Sequence, residues 1–220
     1  MRKLLSVYLC FFLLFNLHAA EIKWLDETYK KVYRIDTQTQ LLEQEKEGVN
    51  PILWQKAGTI KMIGVNEYDL STPLRFVCLQ ADQKYIRYLL ADCTQQVYQF
   101  DFERMLLERI DDTFYRGYNC FSVRFIRKGE IYSFGGYGMS RSNNLMTYYQ
   151  KVTKEWLALT AANDAPKSIS SGLGGYNKEE DIFYSGLNVS ISPSENEGKH
   201  HYDAYFYAYS FKKTLGNAWA

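Results

Sequence analysis

The sequence has little histidine, little proline and no excess of charge of either sign. Among 220 residues there are 3 His and 4 Pro. A base that could activate a serine or cysteine nucleophile is therefore hard to supply, which argues against hydrolases of that type. The formal net charge is +1, and basic residues are interspersed with acidic ones. Because a nucleic-acid site needs a concentrated positive surface, the composition argues against nucleic acid as a partner.

Long apolar runs are also missing, except at the amino terminus. Arg2 and Lys3 precede an apolar run over 4–15, and Ala19 and Ala20 follow it with small side chains. A cationic start, an apolar middle and a small-residue exit are the three parts of a secretory signal peptide.

The alternative, an uncleaved membrane anchor, is disfavoured because a helix needs roughly 20 apolar residues to span a bilayer. We therefore expect residues 1–20 to be a signal peptide that is cleaved near Ala20. The mature chain, 21–220, is expected to be secreted or periplasmic and to contain no membrane span.

Cysteine is sparse, with 4 in the chain. Loss of the signal peptide would remove Cys10 and leave Cys78, Cys93 and Cys120. An odd number in an oxidising compartment allows one disulfide and one spare thiol. Cys93 and Cys120 each lie near a predicted strand end, which makes them a candidate pair. The alternative is three buried thiols. Metal ligation is disfavoured because none of them has a second cysteine within a few residues.

Aromatic residues are unusually frequent, with 19 Tyr and 13 Phe. Aromatic and β-branched side chains favour β-sheets, and several segments alternate apolar and polar residues as strands do. The predicted strands include 75–80, 85–90, 96–101, 121–126, 130–134, 168–173 and 181–186. Short turn-like segments between them predict antiparallel hairpins. Two segments with helix-compatible composition, 37–47 and 101–111, lack an apolar stripe and are interpreted as parts of hairpins.

One short phrase recurs along the chain: a strand containing aromatic or β-branched residues, then a polar turn, then an apolar residue in the returning strand. Its copies are Val32–Asp36 with Leu42, Val97–Asp101 with Leu107, Met146–Gln150 with Trp156, and a looser copy, Tyr205–Tyr209 with Trp219. Repetition of one phrase at spacings of about 50 to 65 residues indicates a repeat architecture. Each phrase is predicted to be one hairpin, facing the same way in successive small sheets.

Two further predicted strands precede each of the last three phrases, which gives four antiparallel strands in about 50 residues. That is the unit of a β-propeller blade. The repetitive domain is divided into units at 21–50, 72–112, 119–160 and 166–220, and the first unit shows only its last two strands.

The third unit resembles a kelch repeat. Ile131–Gly138 is an apolar strand that contains a double glycine, Gly135–Gly136, and Tyr149 and Trp156 follow at the family's spacing. The resemblance implies a kelch-like propeller whose glycines meet crowded backbone with positive φ. It also implies that Trp156 fills space between neighbouring blades.

The other units depart from the family pattern. In the second unit, 89–92 occupies the double-glycine place and Leu107 the tryptophan place. In the fourth, Gly174–Gly175 comes a strand too early and only Gly186 stands at the expected place. Closed propellers have four to eight blades, whereas this length allows about three to four. We therefore expect an all-β, partial or degenerate propeller.

Two groups of polar residues have the composition of a chemical site. His200–His201 with Asp203 suggests a metal site, but adjacent side chains of a strand point to opposite faces, and a solvated loop at 192–199 is the simpler interpretation. Acidic residues could serve glycoside chemistry if they converged in one pocket; these are Asp111, Asp112, Glu179, Glu180, Asp181 and Asp203. No sialidase box or copper-ligand set accompanies them, so no catalytic, cofactor-binding or metal-binding residue and no cofactor is assigned.

The sequence therefore favours an exported, non-enzymatic kelch-like module that binds a protein or a glycan outside the cytoplasm through its inter-strand loops. The alternative is a carbohydrate-active propeller enzyme, or an inactive relative of one. Aromatic side chains in 202–209 could stack on sugars or peptides, or could fill space between sheets. Asn188–Ser190 matches a glycosylation acceptor pattern.

Overall fold

A computed structural model describes residues 21–47, 51–66, 75–113, 119–138, 141–159, 166, 169–191, 200–212 and 218–219. The expected signal peptide and the 192–199 loop lie outside these residues. Every helix or strand element in the described part is a strand, so the all-β prediction is confirmed. The strands form four sheets, none of which closes on itself within the described chain.

The sheets follow one another along the chain. The first contains β1 (Glu21–Asp26), β2 (Lys31–Asp36), β3 (Leu41–Glu45) and β4 (Trp54–Thr59). The second contains β5 (Lys61–Ile63), β6 (Phe76–Gln80), β7 (Ile86–Ala91), β8 (Val97–Asp101) and β9 (Leu106–Arg109). The third contains β10 (Val123–Arg127), β11 (Glu130–Gly138), β12 (Arg141–Gln150) and β13 (Glu155–Leu159). The fourth contains β14 (Ser171–Asn177), β15 (Ile182–Ile191), β16 (His200–Ser210) and β17 (Ala218–Trp219).

The recurring phrase forms a hairpin in every sheet. Its key residues are paired across neighbouring strands as Ile35 with Leu42, Phe100 with Leu107, Tyr149 with Trp156, and Tyr209 with Trp219. The hairpin prediction is thus confirmed, including the looser fourth copy. Both segments with helix-compatible composition are turn and strand, as expected.

The first sheet uses its phrase differently. The phrase forms the middle hairpin, β2–β3, because β1 precedes it and β4 follows it, whereas in the other sheets it forms the final hairpin. The prediction that the first unit shows only its last two strands is therefore wrong. Ile35 packs toward the second sheet, whereas Tyr149 packs toward the sheet before its own. The phrases do not all face the same way.

Two of the phrase turns share one local mechanism. Asp36 accepts hydrogen bonds from the N–H groups of the residues two and three positions later, and Asp101 does the same. Such side-chain bonds stabilise a turn in place of a glycine. Gln40 and Met105, the last turn residues, both have left-handed backbone with φ of 55° and 48°.

A strap made of β4, Ile60 and β5 joins the first two sheets. β4 lies beside β3, while β5 pairs in parallel with β9 at the edge of the second sheet. The N–H of Ile60 donates to Gln40 in the first sheet, and the N–H of Lys61 donates to Met105 in the second. Ile60 is buried, so the strap closes the end of the core between the sheets.

Three apolar cores connect the sheets in chain order. The first contains Trp24 and Ile35 from the first sheet with Phe100 from the second. The second core joins the second and third sheets, and the third joins the third and fourth sheets. Each of the two middle sheets is therefore covered on both faces, and each end sheet contributes one face.

Each junction between sheets also contains an Arg–Asp ion pair with little exposure. The nitrogen–oxygen distances are 2.8 Å for Arg87–Asp26, 2.9 Å for Arg124–Asp92 and 2.6 Å for Arg127–Asp181. Removing one partner of such a pair leaves a buried charge without compensation, which costs several kcal/mol. Each pair thus ties one sheet to the next along the chain.

Candidate binding surface on the fourth sheet

The fourth sheet exposes the aromatic segment that the sequence singled out. Tyr202, Tyr205 and Phe206 are 81%, 74% and 72% exposed, whereas Tyr209 is buried against the third sheet. One end of the segment therefore fills space between sheets, as one interpretation expects, and the other end is open to solvent.

Strand pairing shows which residues share the outer face. Leu173 and Phe206 flank Gly186 on either side, and Tyr184 lies between Gly175 and Ala208. Directly paired residues of antiparallel strands project to the same face. We define the aromatic face as Leu173, Tyr184, Tyr202 and Phe206, with Gly175, Gly186 and Ala208 as its floor. Tyr202 belongs to it because the neighbouring Asp203 turns to the opposite face, where it accepts from Tyr207.

The floor is low because its residues are small. A side-chain atom added at Gly175 would have no neighbour within 4 Å. One added at Gly186 would collide with the ring of Phe206, so that ring leans over the glycine. Leu173 and Phe206 therefore project beside a shallow depression.

Carboxylates accept hydrogen bonds from tyrosines on both faces of this sheet. The Tyr184 hydroxyl donates to Glu180 at 2.7 Å, and this bond raises the pKa of Tyr184 above its usual value. On the opposite face Tyr207 donates to Asp203 at 2.6 Å, which raises the pKa of Tyr207 to about 12. Both hydroxyls thus remain protonated near neutral pH and serve as fixed donors.

The third and fourth sheets each contain a β-bulge at the same place in their strands. The register shifts between Phe134 and Gly136 in β11 and between Gly186 and Asn188 in β15. Equivalent pairs on either side of the bulge are Phe134–Met146 and Gly186–Phe206, then Gly136–Asn143 and Asn188–Asp203. The two sheets therefore share one register, position by position.

The double glycine of the kelch-like motif sits in this bulge. Gly135 and Gly136 have φ of 68° and 118°, and a side-chain atom at Gly136 would lie 2.7 Å from the Asn119 backbone. The expectation of crowded backbone with positive φ is confirmed. Trp156 packs between the second and third sheets and donates to the Gln95 carbonyl at 2.7 Å, as expected.

The fourth sheet has no glycine pair at its bulge. Leu187, with φ of 50°, and Asn188 occupy the places of Gly135 and Gly136. The expectation that Gly186 stands for the double glycine is wrong, because Gly186 aligns with the preceding residue. Asn188 is buried and within hydrogen-bond distance of the Ser185 hydroxyl. The glycosylation pattern therefore lies at an inaccessible side chain in the folded chain.

The acidic residues that could serve glycoside chemistry do not converge in one pocket among the described residues. Asp111 and Asp112 line a pocket with Arg109, Thr113 and Gly64, and none of the other candidate carboxylates lines that pocket. Asp111 accepts from the N–H of Val97 at 2.8 Å. Its carboxylate also holds the N–H of Thr113 and the Arg109 side chain. A carboxylate with this many donors stabilises the end of its sheet.

The remaining acidic residues belong to the fourth sheet. Glu179 and Glu180 are exposed in the β14–β15 turn. Asp181 is buried, and Arg127 holds its pKa well below the usual range. A general acid needs a raised pKa, so Asp181 is suited to an ion pair and not to proton donation.

The histidine pair lies in β16, where His200 and His201 pair with Ile191 and Ser190. The described residues contain no group of three or more metal-ligating side chains. The His200 and His201 side chains themselves lie outside the described set.

The candidate disulfide is present. Cys93 is bonded to Cys120, which links the second sheet to the start of the third. Cys78 is a free thiol, and burial raises its pKa to about 12. The reactive thiolate is therefore scarce near neutral pH.

No helix among the described residues could cross a bilayer. Searches against protein-family models and curated proteins find no match to this chain.

Proposed function

We propose that this chain is an exported, non-enzymatic interaction module with a partial kelch-like propeller fold that binds a protein or a glycan. The sheets that stack in chain order, the double glycine in its bulge and Trp156 between two sheets support the propeller part of the proposal. The charged amino-terminal start and apolar run support export. The Cys93–Cys120 disulfide is the bond that an oxidising compartment favours.

The aromatic face is the observation that carries the binding role. Contiguous exposed apolar side chains are uncommon on monomeric soluble proteins and mark interaction sites. Tyrosine and phenylalanine anchor protein interfaces, and aromatic rings also stack on sugars. The face lies on strands β14, β15 and β16 and not on the inter-strand loops, so it presents its side chains on a rigid scaffold.

The acidic residues do not support the alternative of a carbohydrate-active enzyme. Asp111 and Asp181 are both committed to arginines in the described part of the chain. Asp111 lies at the end of the second sheet and Asp181 lies at the junction of the third and fourth sheets, so they do not form the facing pair that glycoside hydrolysis requires.

The proposal is tested by screening the purified protein against glycans and extracytoplasmic proteins, including the chain itself. A Tyr202→Ser/Phe206→Ser double variant should lose the binding found for the wild type. Val152→Ser, at a position 90% exposed in the β12–β13 turn, is the matched control and should keep it. Binding that survives the double variant would refute the role of the aromatic face.

Export is tested separately by amino-terminal sequencing of protein recovered outside the producing cell. We expect the mature chain to start at Glu21 and to migrate differently with and without reductant. A recovered chain that still begins at Met1 would contradict the predicted cleavage.

A further inference from the structure

The register shared by the third and fourth sheets shows what kind of partner the aromatic face fits. Position by position, Val123, Phe125, Tyr132, Phe134, Met146 and Tyr148 of the third sheet correspond to Leu173, Gly175, Tyr184, Gly186, Phe206 and Ala208. All six third-sheet residues belong to the core that the fourth sheet covers. The aromatic face is therefore the position that a further sheet covers in the repeat.

The cover over the third sheet is itself an aromatic sheet face. Phe183 of the fourth sheet stacks on Phe125 with ring centroids 4.6 Å apart and planes 11° apart. Phe183 also meets Phe134 edge-on at 5.5 Å. The centre of such a face is thus matched by flat rings, and the Arg127–Asp181 ion pair is the charged contact of the same junction.

The other end of the stack does not supply such a cover. The outer face of the first sheet contains the Arg34–Glu43 ion pair at 2.7 Å, and Trp54 lies beneath the Arg34 guanidinium at 4.3 Å. Lys23 also lies over Trp54. Seating this face on the aromatic face of another copy would desolvate these charges without new partners. Head-to-tail association through the two end faces is therefore disfavoured.

We propose that the aromatic face binds the same face of a second copy, giving a two-fold dimer joined through the fourth sheets. This inference rests on the proposed function, because it names the partner of the same surface. The face is self-complementary, since Leu173 and Phe206 project while Gly175 and Ala208 lie low. A two-fold axis can set the projecting side chains of one copy over the low positions of the other.

The exposed area is of the size that a dimer needs. A standard interface buries about 800 Å² per partner. The exposed fractions of Tyr184, Tyr202 and Phe206 give roughly 400 Å² at about 200 Å² per ring, and Leu173, at 63% exposure, adds to this apolar area. About 57% of a standard interface is non-polar, so the aromatic face supplies the apolar share.

The test measures the mass of the purified protein in solution over a range of concentrations. The wild type should have twice the mass of one chain at micromolar concentration. Phe206→Ser and Leu173→Lys should each weaken dimerisation at least about 30-fold, as expected for interface anchors. Leu25→Ser is the matched control, because Leu25 is 46% exposed in the first sheet, and it should leave the dimer unchanged.

Hydrogen exchange gives a second readout that does not depend on a variant. Protection that rises with protein concentration should be confined to β14, β15 and β16. A wild type that is monomeric at 100-fold higher concentration, or larger oligomers that Leu25→Ser disrupts, would overturn the two-fold dimer.

The outcomes also separate this inference from the proposed function. If the wild type is monomeric but a screened ligand binds through Phe206, the dimer is refuted and the interaction module stands. If it is monomeric and no ligand depends on the aromatic face, both are refuted. Circular dichroism of each variant shows that lost binding is not lost folding.

Discussion

The third and fourth sheets have the same register, but one is covered and the other is not. At equivalent places Met146 is 3% exposed and Phe206 is 72% exposed. The large core residues Phe125 and Phe134 correspond to glycines in the fourth sheet. Equivalent positions of the two sheets can therefore hold a large side chain in one sheet and a glycine in the other. A large side chain is needed only where a neighbouring sheet packs against the position. Four predictions test this comparison.

The largest difference is expected between Met146→Ala and Phe206→Ala. Met146→Ala leaves a cavity under the fourth sheet and should lower the free energy of unfolding by roughly 2–5 kcal/mol. Phe206→Ala should change it by less than about 0.5 kcal/mol in the monomer. Chemical denaturation at a dilute protein concentration measures both values. Equal losses would show that the aromatic face is covered within the monomer.

Loss of the disulfide should have the next largest effect. Cys93 and Cys120 are 27 residues apart, and closing such a loop stabilises a fold by about 3 kcal/mol. A Cys93→Ser/Cys120→Ser variant should unfold at a lower temperature, and reductant should then have no further effect. Cys78→Ser provides the control, since Cys78 is not in the disulfide. A fall in melting temperature on reduction of the double variant would contradict this assignment.

Replacing one glycine in each sheet by alanine compares the backbone constraints of the third and fourth sheets. Gly136→Ala combines positive φ with a backbone collision and should cost about 1–3 kcal/mol. Gly175→Ala has open space around it and should be within about 0.5 kcal/mol of the wild type. Thermal unfolding of both variants checks this. A destabilising Gly175→Ala would mean that the floor of the aromatic face is already filled.

The smallest effect concerns pH at the junction between these two sheets. Arg127 depresses the pKa of Asp181 in the folded chain. The stability that this ion pair contributes is therefore present above the unfolded pKa of about 3.9 and is lost as the pH falls below it. The loss should be on the order of 1 kcal/mol. Asp181→Asn should be less stable at pH 7 and should show a flatter acid limb in denaturation measured from pH 6 to pH 2. An unchanged acid limb would show that other carboxylates dominate.

Local structure was largely predictable from the sequence. The alternation of apolar and polar residues predicted the strands. The recurring phrase predicted the cross-strand partners of the hairpins, including Ile35 with Leu42 and Tyr149 with Trp156. These are short-range properties, because a turn such as that at Asp36 is stabilised by its own side chain and backbone.

Relations between sheets were not predictable in the same way. The strand β4 has weak alternation, and β5 pairs in parallel with a strand far along the chain. The Arg124–Asp92 ion pair also needs knowledge of which sheets touch. For the aromatic face the usable signal was present: small residues alternate with Leu173 and Tyr184. That pattern indicates an uncovered sheet face only when the third and fourth sheets are aligned by their shared β-bulge.

The strap through Ile60 has a consequence for how the chain can be divided. Because consecutive N–H groups of Ile60 and Lys61 bond to different sheets, deleting the whole strap would remove the edge strand of both sheets at once. The first two sheets should accordingly melt as one cooperative unit. A shortened protein that begins after the strap would lack β5 and would leave Phe100 and its apolar neighbours in the second sheet without their cover.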